Sequence, residues 1–404
     1  MSKRRAGQLL SILAVALLLT GCGSSSSGNT PTSASTSGGN GAPSSGTTTT
    51  TAGTGPGTGG SAGSWTEKSV ANAGSLNAVS CSSASDCVAV GTDAGKAQDG
   101  AIWTSNNGGS TWTEDVVGNA STGPDSVSCS SSSDCVAVGG ANPGQGDDWV
   151  TTDGGTTWTE HVVPSADTTQ PTVGGFTDVS CVSAHVCVAA GADSYGNGAS
   201  WMTTDGGAKW TQRPVPDTSN STASNGGPVA ISCSTNNFCV TVGTNNNGDS
   251  VAWTSLNSGQ WNQQPIPGAE APNGDVQDIS CAPVSDCVAV GEDGTGNGNP
   301  AVWTTSNEGS AWTEQTVPNS GGSNSYLRWV SCPSTTVCVA VGNDTNDEDA
   351  WSTADGGTSW TEQPIPDIDT SNGTLSDISC GSASQCVAIG TDSSGAASAW
   401  VGPA

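Results

Sequence analysis

Residues 150–160 read VTTDGGTTWTE, and close copies of this stretch recur about every fifty residues, centred on Asn107, Asp153, Asp205, Asn257, Asn307 and Asp355. No pair of side chains in it suggests chemistry. Its composition suggests a tight turn: an Asp or Asn side chain can accept bonds from the backbone NH groups of a turn, and Gly takes dihedral angles closed to other residues. In front of the turn stands a short strand such as AIWTS, and behind it one such as WTEDVV. A turn repeated at this period is a building device.

The next feature outward is a set of seven C-x5-C pairs: Cys81/Cys87, Cys129/Cys135, Cys181/Cys187, Cys233/Cys239, Cys281/Cys287, Cys332/Cys338 and Cys380/Cys386. In each, a short apolar strand ends at the first Cys and a nearly continuous apolar strand starts at the second, as in DSVSCSSSSDCVAVG. The five residues between them make a hairpin. Facing positions of a hairpin bring two Cα atoms near the separation a disulfide needs. Zinc is excluded, because Cys-x2-Cys spacing is absent and two His cannot complete seven sites. Seven local disulfides are expected.

Each unit therefore holds four strands, and a period near fifty is that of a propeller or a solenoid. Side-chain size selects the propeller, whose blades crowd at the axis and spread at the rim. Ser precedes the first Cys every time, at Ser80, Ser128, Ser180, Ser232, Ser280, Ser331 and Ser379, whereas Trp falls in the third and fourth strands, Trp329 excepted. The last unit stops after its third strand, AWV at 399–401, and the folded region opens with SWTE at 64–67, which matches the missing fourth. The fold expected is all-β: a seven-bladed β-propeller of four-stranded blades, with an N-terminal strand closing the last blade and removing the open edges.

The repeated turn resembles the Asp box, or BNR repeat, S/T-x-D-x-G-x-T-W/F, of sialidases and related propellers. Thr151, Asp153, Gly155 and Trp158 match it, as do Thr203, Asp205, Gly207 and Trp210, and Thr353, Asp355, Gly357 and Trp360; Asn107, Asn257 and Asn307 stand for Asp in the other copies. The resemblance covers residues 65–401. It implies that the box joins the third and fourth strands on the face away from the active site, and so has no catalytic role. Photosystem assembly factors of the HCF136 type are similar at this level and are not enzymes. A sialidase would further need three arginines for the substrate carboxylate, and only Arg213 and Arg328 follow the N-terminal region. A serine hydrolase is excluded by the placement of His161 in an outer strand and His185 in a hairpin.

Eight Lys and Arg stand against 36 Asp and Glu, for a net charge of −28. A surface this acidic repels nucleic acid phosphates and anionic lipid, so neither is expected as a direct partner. The N-terminus carries a basic start and an apolar run, 9–19, too short for a permanent membrane span. It ends in LTGC, which resembles the lipobox of bacterial lipoproteins and implies acylation of Cys22. Residues 23–63 hold no charge and consist of Gly, Ser, Thr, Ala, Pro and Asn, a flexible tether with a typical reach of roughly 35 Å. The domains expected are a signal peptide (1–21), a lipidated Cys with its linker (22–63) and the propeller (64–404), an extracytoplasmic, membrane-anchored monomer.

The loops between units and between second and third strands emerge on one face and vary in length; binding residues are expected there. Three residues before the first Cys of each unit stand Ala78, Ser126, Asp178, Ala230, Asp278, Trp329 and Asp377, so that three Asp share one level of the channel. They read as solvated channel residues, as a site for hydrated Ca²⁺ or another ligand, or as the carboxylates of a glycoside hydrolase. Tyr326, Arg328 and Trp329 form the one grouping of two aromatics with a cation, suited to stacking on a sugar or peptide, although Trp329 equally suits filling the channel mouth. The acidic loop 344–349 lacks the Gly of an EF-hand at its sixth position. No cofactor motif is present. The function expected is binding or scaffolding of protein or glycan at the cell surface, using Tyr326, Arg328, Trp329, Asp278 and Asp377; the alternative is a divergent glycoside hydrolase using Asp178, Asp278 and Asp377.

Overall fold

The computed structural model describes residues 64–404 apart from 96–98, 118–122, 142–144, 164–174, 219–225, 257–259, 271–273, 283–284, 295–298, 319–324, 344–346 and 370–372. The expected signal peptide, Cys22, its linker and the turn at Asn257 lie outside the described residues. Seven antiparallel sheets of four strands each follow one another along the chain; six are ordered as in the sequence, and the seventh takes its outer strand from the start of the described residues. The innermost strands are Ala73–Cys81, Pro124–Cys129, Gly175–Cys181, Gly227–Thr235, Asp275–Cys281, Tyr326–Ser331 and Thr374–Ser382. Each contacts the innermost strand of the next blade, and the last contacts the first, so the ring closes. This is a seven-bladed β-propeller.

Blade 7 draws on both ends of the described chain. Thr66–Ser69 pairs antiparallel with Ala397–Gly402, from Thr66 opposite Val401 to Ser69 opposite Ser398. Ser398 Oγ donates to Glu67 at 2.7 Å. Trp65 is buried in a cluster with Trp400, Ile365 and Leu375, so the closing strand is also anchored by apolar packing against blade 6.

The core lies between blades. Trp103, Trp149, Trp253, Trp303, Trp351 and Trp400, from six third strands, are fully buried. Trp149, for example, packs with Val88, Val90 and Ile102 of blade 1. Most also satisfy the indole NH at a carbonyl of the chain entering their own blade, Trp253 at Pro216 (3.0 Å) and Trp400 at Pro366 (3.0 Å). A chain poor in Leu and Phe thus reaches a packed interior with one large side chain per interface.

The disulfides are those expected from the spacing: Cys81–Cys87, Cys129–Cys135, Cys181–Cys187, Cys233–Cys239, Cys281–Cys287, Cys332–Cys338 and Cys380–Cys386, with facing Cα atoms 3.9–4.0 Å apart. They mark a chain that folds in an oxidising compartment. The structure adds a second use for the cysteines. The second Cys of each pair is buried, and each belongs to a different apolar cluster: Cys87, Cys135, Cys187, Cys239, Cys287, Cys338 and Cys386 pack in seven separate clusters. The second Cys opens the second strand, which is enclosed on both faces by neighbouring sheets, whereas the first Cys is partly exposed in every blade but the seventh. The sulfur atoms are therefore core as well as covalent links. No helix among the described residues is long and apolar enough to cross a membrane.

The Ser before each first Cys does more than leave room at the axis. Its Oγ accepts the backbone NH of the first Cys of the next blade: Ser80 from Cys129, Ser128 from Cys181, Ser180 from Cys233, Ser232 from Cys281, Ser280 from Cys332, Ser331 from Cys380 and Ser379 from Cys81, all at 2.9–3.0 Å. Seven equivalent bonds form a closed belt. Ser is the residue small enough for the crowded axis that still satisfies an inward NH, which would otherwise be a buried orphan.

The repeated turn builds the opposite corner of the blades that carry it; blade 7, whose fourth strand is Thr66–Ser69, has none. In blade 2, Asp153 Oδ1 accepts the NH of Thr157 (2.9 Å) and the hydroxyl of Thr151 (2.8 Å), and Thr151 Oγ1 accepts the NH of Gly155 (3.0 Å). Gly154 and Gly155 are left-handed at φ 74° and 82°, and Gly154 NH bonds Ser133 of the disulfide hairpin beside it (3.0 Å). Blade 5 departs from this pattern. Glu308 occupies the place of Gly154 at φ 59°, a conformation that strains an L side chain. Glu308→Gly is expected to stabilise the protein by about 1 kcal/mol, seen as a melting temperature about 2 °C higher. An unchanged or lower value in calorimetry would mean that the strain is absorbed elsewhere.

Candidate functional site

Every innermost strand carries a β-bulge at the same place, between the residue four and the residue two positions ahead of the Ser belt. The bulged residues are Asn77, Asp125, Thr177, Val229, Gln277, Arg328 and Ser376. A bulge adds a residue without disturbing the ladder beyond it, and so re-aims one side chain. Here one backbone device, repeated seven times, delivers seven different side chains around the channel mouth. Asp125, Thr177 and Val229 are exposed, Val229 at 42%. Three of the seven bond the next blade: Asn77 Nδ2 donates to Pro124 O (3.1 Å), Thr177 Oγ1 to Pro228 O (3.3 Å) and Ser376 Oγ to Leu76 O (2.7 Å). Asp125, Val229, Gln277 and Arg328 make no such link.

One residue deeper lie the channel aspartates, and their oxygens hold backbone. Asp178 accepts the NH of Ile231 in blade 4 (2.7 Å), its own Val179 NH (2.8 Å) and the Ser126 hydroxyl (2.6 Å). Asp278 accepts Val330 NH of blade 6 (2.8 Å) and Ile279 NH (2.7 Å). Asp377 accepts Val79 NH of blade 1 (2.8 Å) and Ile378 NH (2.7 Å). These three form a second, partial belt beside the Ser belt. Burial lifts Asp178 to about 6 and Asp377 to about 7. Asp278 is raised well above the usual carboxylate range by burial first and then by the charges of Asp178 and Asp377. Each is a link between blades, a use that its place at the channel did not disclose. No group of three or more His, Cys, Asp or Glu among the described residues is arranged to hold a metal ion.

Blade 6 brings together what its sequence suggested, with a partner that the sequence reading missed. The Arg328 guanidinium lies 4.2 Å from the Tyr326 ring centroid and 5.8 Å from that of Trp329. Trp329 is partly buried against the apolar cluster between blades 6 and 7, so its ring also serves packing. Tyr326 OH donates to Glu348 Oε1 (3.2 Å). Glu348 is fully buried; its second oxygen has no bond partner, and burial raises its carboxyl to about 7. Burial likewise raises Tyr326, with Glu348 adding to the effect, and raises Glu292 nearby, with Arg328 opposing. The expected acidic loop 344–349 is corrected in part. Asp347–Thr353 is a strand whose pairing with the second strand carries Glu348 and Asp349 into the sheet; 344–346 lie outside the described residues. This strand is buried at every residue from Glu348 to Trp351, and an acidic run with no apolar partner residues conceals that.

Other acids on this face are turn formers. Asp193 accepts the NH of Tyr195 (2.9 Å) and Asn197 (2.8 Å), Asp392 those of Ser394 (2.8 Å) and Ala396 (2.9 Å), and Asn245 plays the same part in blade 4. Arg213 lies in the outer strand Thr211–Pro214 of blade 3, away from the inner strand of blade 6 that holds Arg328, and the two do not share a site.

No protein-family model and no curated protein matches the chain. Solved structures do. The chain is similar to YCF48 bound to D1 peptide, with a TM-score of 0.57 and 15% identity over 84% of this chain and 94% of that one. It is also similar to the GH74 enzyme of Niastella koreensis, with a TM-score of 0.54 and 16% identity over 82% of this chain. The match spans 55% of that enzyme's length. At these identities the likeness is one of fold.

Proposed function

We propose that this protein is a binding module that takes an extended segment of a partner protein across the channel mouth, with the ring of bulged residues as its reading surface. One observation carries this: seven equivalent bulges present seven different side chains, in a chain that repeats Ser at every belt position and Val or Ile directly before it. Arg328, stacked on Tyr326 beside Trp329, supplies a cation and a flat apolar face; Asp125, Val229 and Gln277 supply an anion, an apolar contact and an amide around the rest of the rim. That a propeller of the same fold, YCF48, binds a peptide supports the reading. The lipobox-like LTGC at 19–22 and the uncharged segment behind it support a lipid-anchored, extracytoplasmic placement, with the propeller (64–404) held off the membrane by its tether. The module is taken as a monomer without cofactor or nucleic acid.

Asp278 and Asp377 enter this reading as the floor of the mouth, since Asp278 bonds the inner strand that carries Arg328 and Asp377 the one that carries Asn77. The glycoside hydrolase alternative would require carboxylates released from these links.

The test is selection of displayed random dodecapeptides on the immobilised full chain. Selected peptides are expected to lose at least tenfold in affinity on Arg328→Ala, an anchor worth about 2 kcal/mol, with Asp153→Asn leaving affinity unchanged. Peptides that bind Arg328→Ala and Asp125→Ala variants as tightly as the parent would remove the channel mouth from the account.

A further inference from the structure

The face that holds the disulfide hairpins and the repeated turns reads from the sequence as scaffold alone. Between blades 1 and 2 it contains a cleft of 220 Å³, and between blades 5 and 6 a second of 390 Å³. The two are built from equivalent residues. One wall comes from Asp86, Thr104 and Thr113 in the first cleft and from Asp286, Thr304 and Thr313 in the second. Across it stand Ser132 and Thr156 of blade 2, or Thr335 and Thr358 of blade 6. Neither lining contains Lys, Arg or an aromatic residue.

The sequence explains why these two interfaces stay open. An Asp directly before the second Cys occurs at Asp86, Asp134 and Asp286, and a Thr directly after the third-strand Trp at Thr104, Thr254 and Thr304. Only blades 1 and 5 have both. In blade 2 the second position is Val150 and in blade 3 Met202. Met202 lines what remains of the corresponding space between blades 3 and 4, a pocket of 20 Å³. The same site is thus present twice, and between blades 3 and 4, where both residues differ, little of it is left.

We propose that the two clefts are a pair of equivalent binding sites for uncharged glycan, making the propeller bivalent for a polysaccharide on the face opposite the channel mouth. The walls are hydroxyls with a carboxylate at one end, groups that donate to and accept from the adjacent hydroxyls of a sugar. An anion is repelled: Asp286 stands in the cleft, and Asp355, which also lines it, is held at about 2 by bonds from Ser359, so it is ionised near neutral pH. An apolar ligand finds no aromatic ring and little aliphatic surface, Val88 in the first cleft and Ala282, Val288 and Ala311 in the second. The larger cleft lies at the lower end of the range for small-molecule sites, ~300–1,000 Å³, and the smaller, at 220 Å³, falls below it, as suits one or two sugar rings of a longer chain. Individually weak sites of this kind gain strength by being two, since the second contact with a polymer is intramolecular. The clefts lie on opposite sides of the ring, so two chains can be bridged.

The full chain is titrated by calorimetry with a panel of uncharged hexasaccharides of the gluco, manno, xylo and galacto series, and mixed with the matching soluble polysaccharides. One series is expected to bind with two sites per protein, and its polysaccharide to precipitate. Thr104→Met or Thr304→Met places in the cleft a side chain that the fold already accepts as Met202; each should reduce the stoichiometry to one and abolish precipitation, and the pair should abolish binding. Ser132→Arg and Thr335→Arg, at exposed positions on the facing walls, should do the same. Binding that survives the double variants, a stoichiometry of one for the parent, binding of basic peptides in place of sugars, or no heat with any series at millimolar ligand would each overturn the proposal. None of these outcomes bears on Arg328 or the channel mouth, so the two sites stand or fall separately.

Discussion

Deleting Trp65–Val70 is expected to lower the unfolding free energy by about 5 kcal/mol or more and to make the protein self-associate. Loss of a buried Trp alone costs about 3–5 kcal/mol, and Trp65 and Val70 are both buried. The strand Thr66–Ser69 also covers the outer edge of Ala397–Gly402, whose unpaired backbone groups would then be open to another chain. Removal of residues 23–62 is the control, expected to leave the melting temperature where it was. Calorimetry and sedimentation velocity on the two deletions decide the matter. If they behave alike, the ring is not held shut by its N-terminal strand.

The second large effect is an unusual dependence on pH. In the folded state burial lifts Asp178 and Asp148 to about 6, and Asp377 and Glu348 to about 7, against an unfolded value near 4. Between pH 4 and 7 the folded chain therefore binds more protons than the unfolded one, and stability falls as pH rises through this window. The loss is complete for these groups only about one pH unit above the highest of these values. The turn aspartates act in the opposite sense: Asp355, held at about 2 by Ser359, contributes stability above pH 4 that disappears as pH falls towards 2. Stability should peak near pH 4–5, and the melting temperature should be several degrees lower at pH 8 than at pH 5. The net charge of −28 adds self-repulsion in the same direction. Asp377→Asn should flatten the slope between pH 5 and 8 while removing one of the two backbone links. A melting temperature that rises from pH 5 to pH 8 would mean that channel water keeps these carboxylates ionised without penalty.

Much of the site was legible only as position. The sequence places Asp178, Asp278 and Asp377 at one level because each precedes its Cys by three residues, but it cannot say that each carboxylate crosses to the next blade. That bond joins residues about fifty apart, or 298 apart for Asp377 and Val79. The bulges escaped for a related reason. A bulge is an extra residue relative to the neighbouring strand, and alternation read along one strand shows no partner against which a residue is extra. Arg328 and Tyr326 could be matched from their spacing, whereas Glu348 could be matched only once the third strand of blade 6 was set beside the first.

What the sequence determined by itself is the repeat and everything the repeat implies. Fixed spacing of Cys, Gly and Trp sets hairpins, disulfides, turns and strand number, because these depend on residues close along the chain. The missing fourth strand of the last unit determined closure, since an open edge in a ring is costly and one matching segment was available. Only the tertiary structure decided how the blades are joined and where they stay apart. The Ser belt, the aspartate links, the burial of Glu348 and of the second Cys of each pair, and the two open clefts all depend on side chains meeting across an interface. There the partner is set by the geometry of the ring.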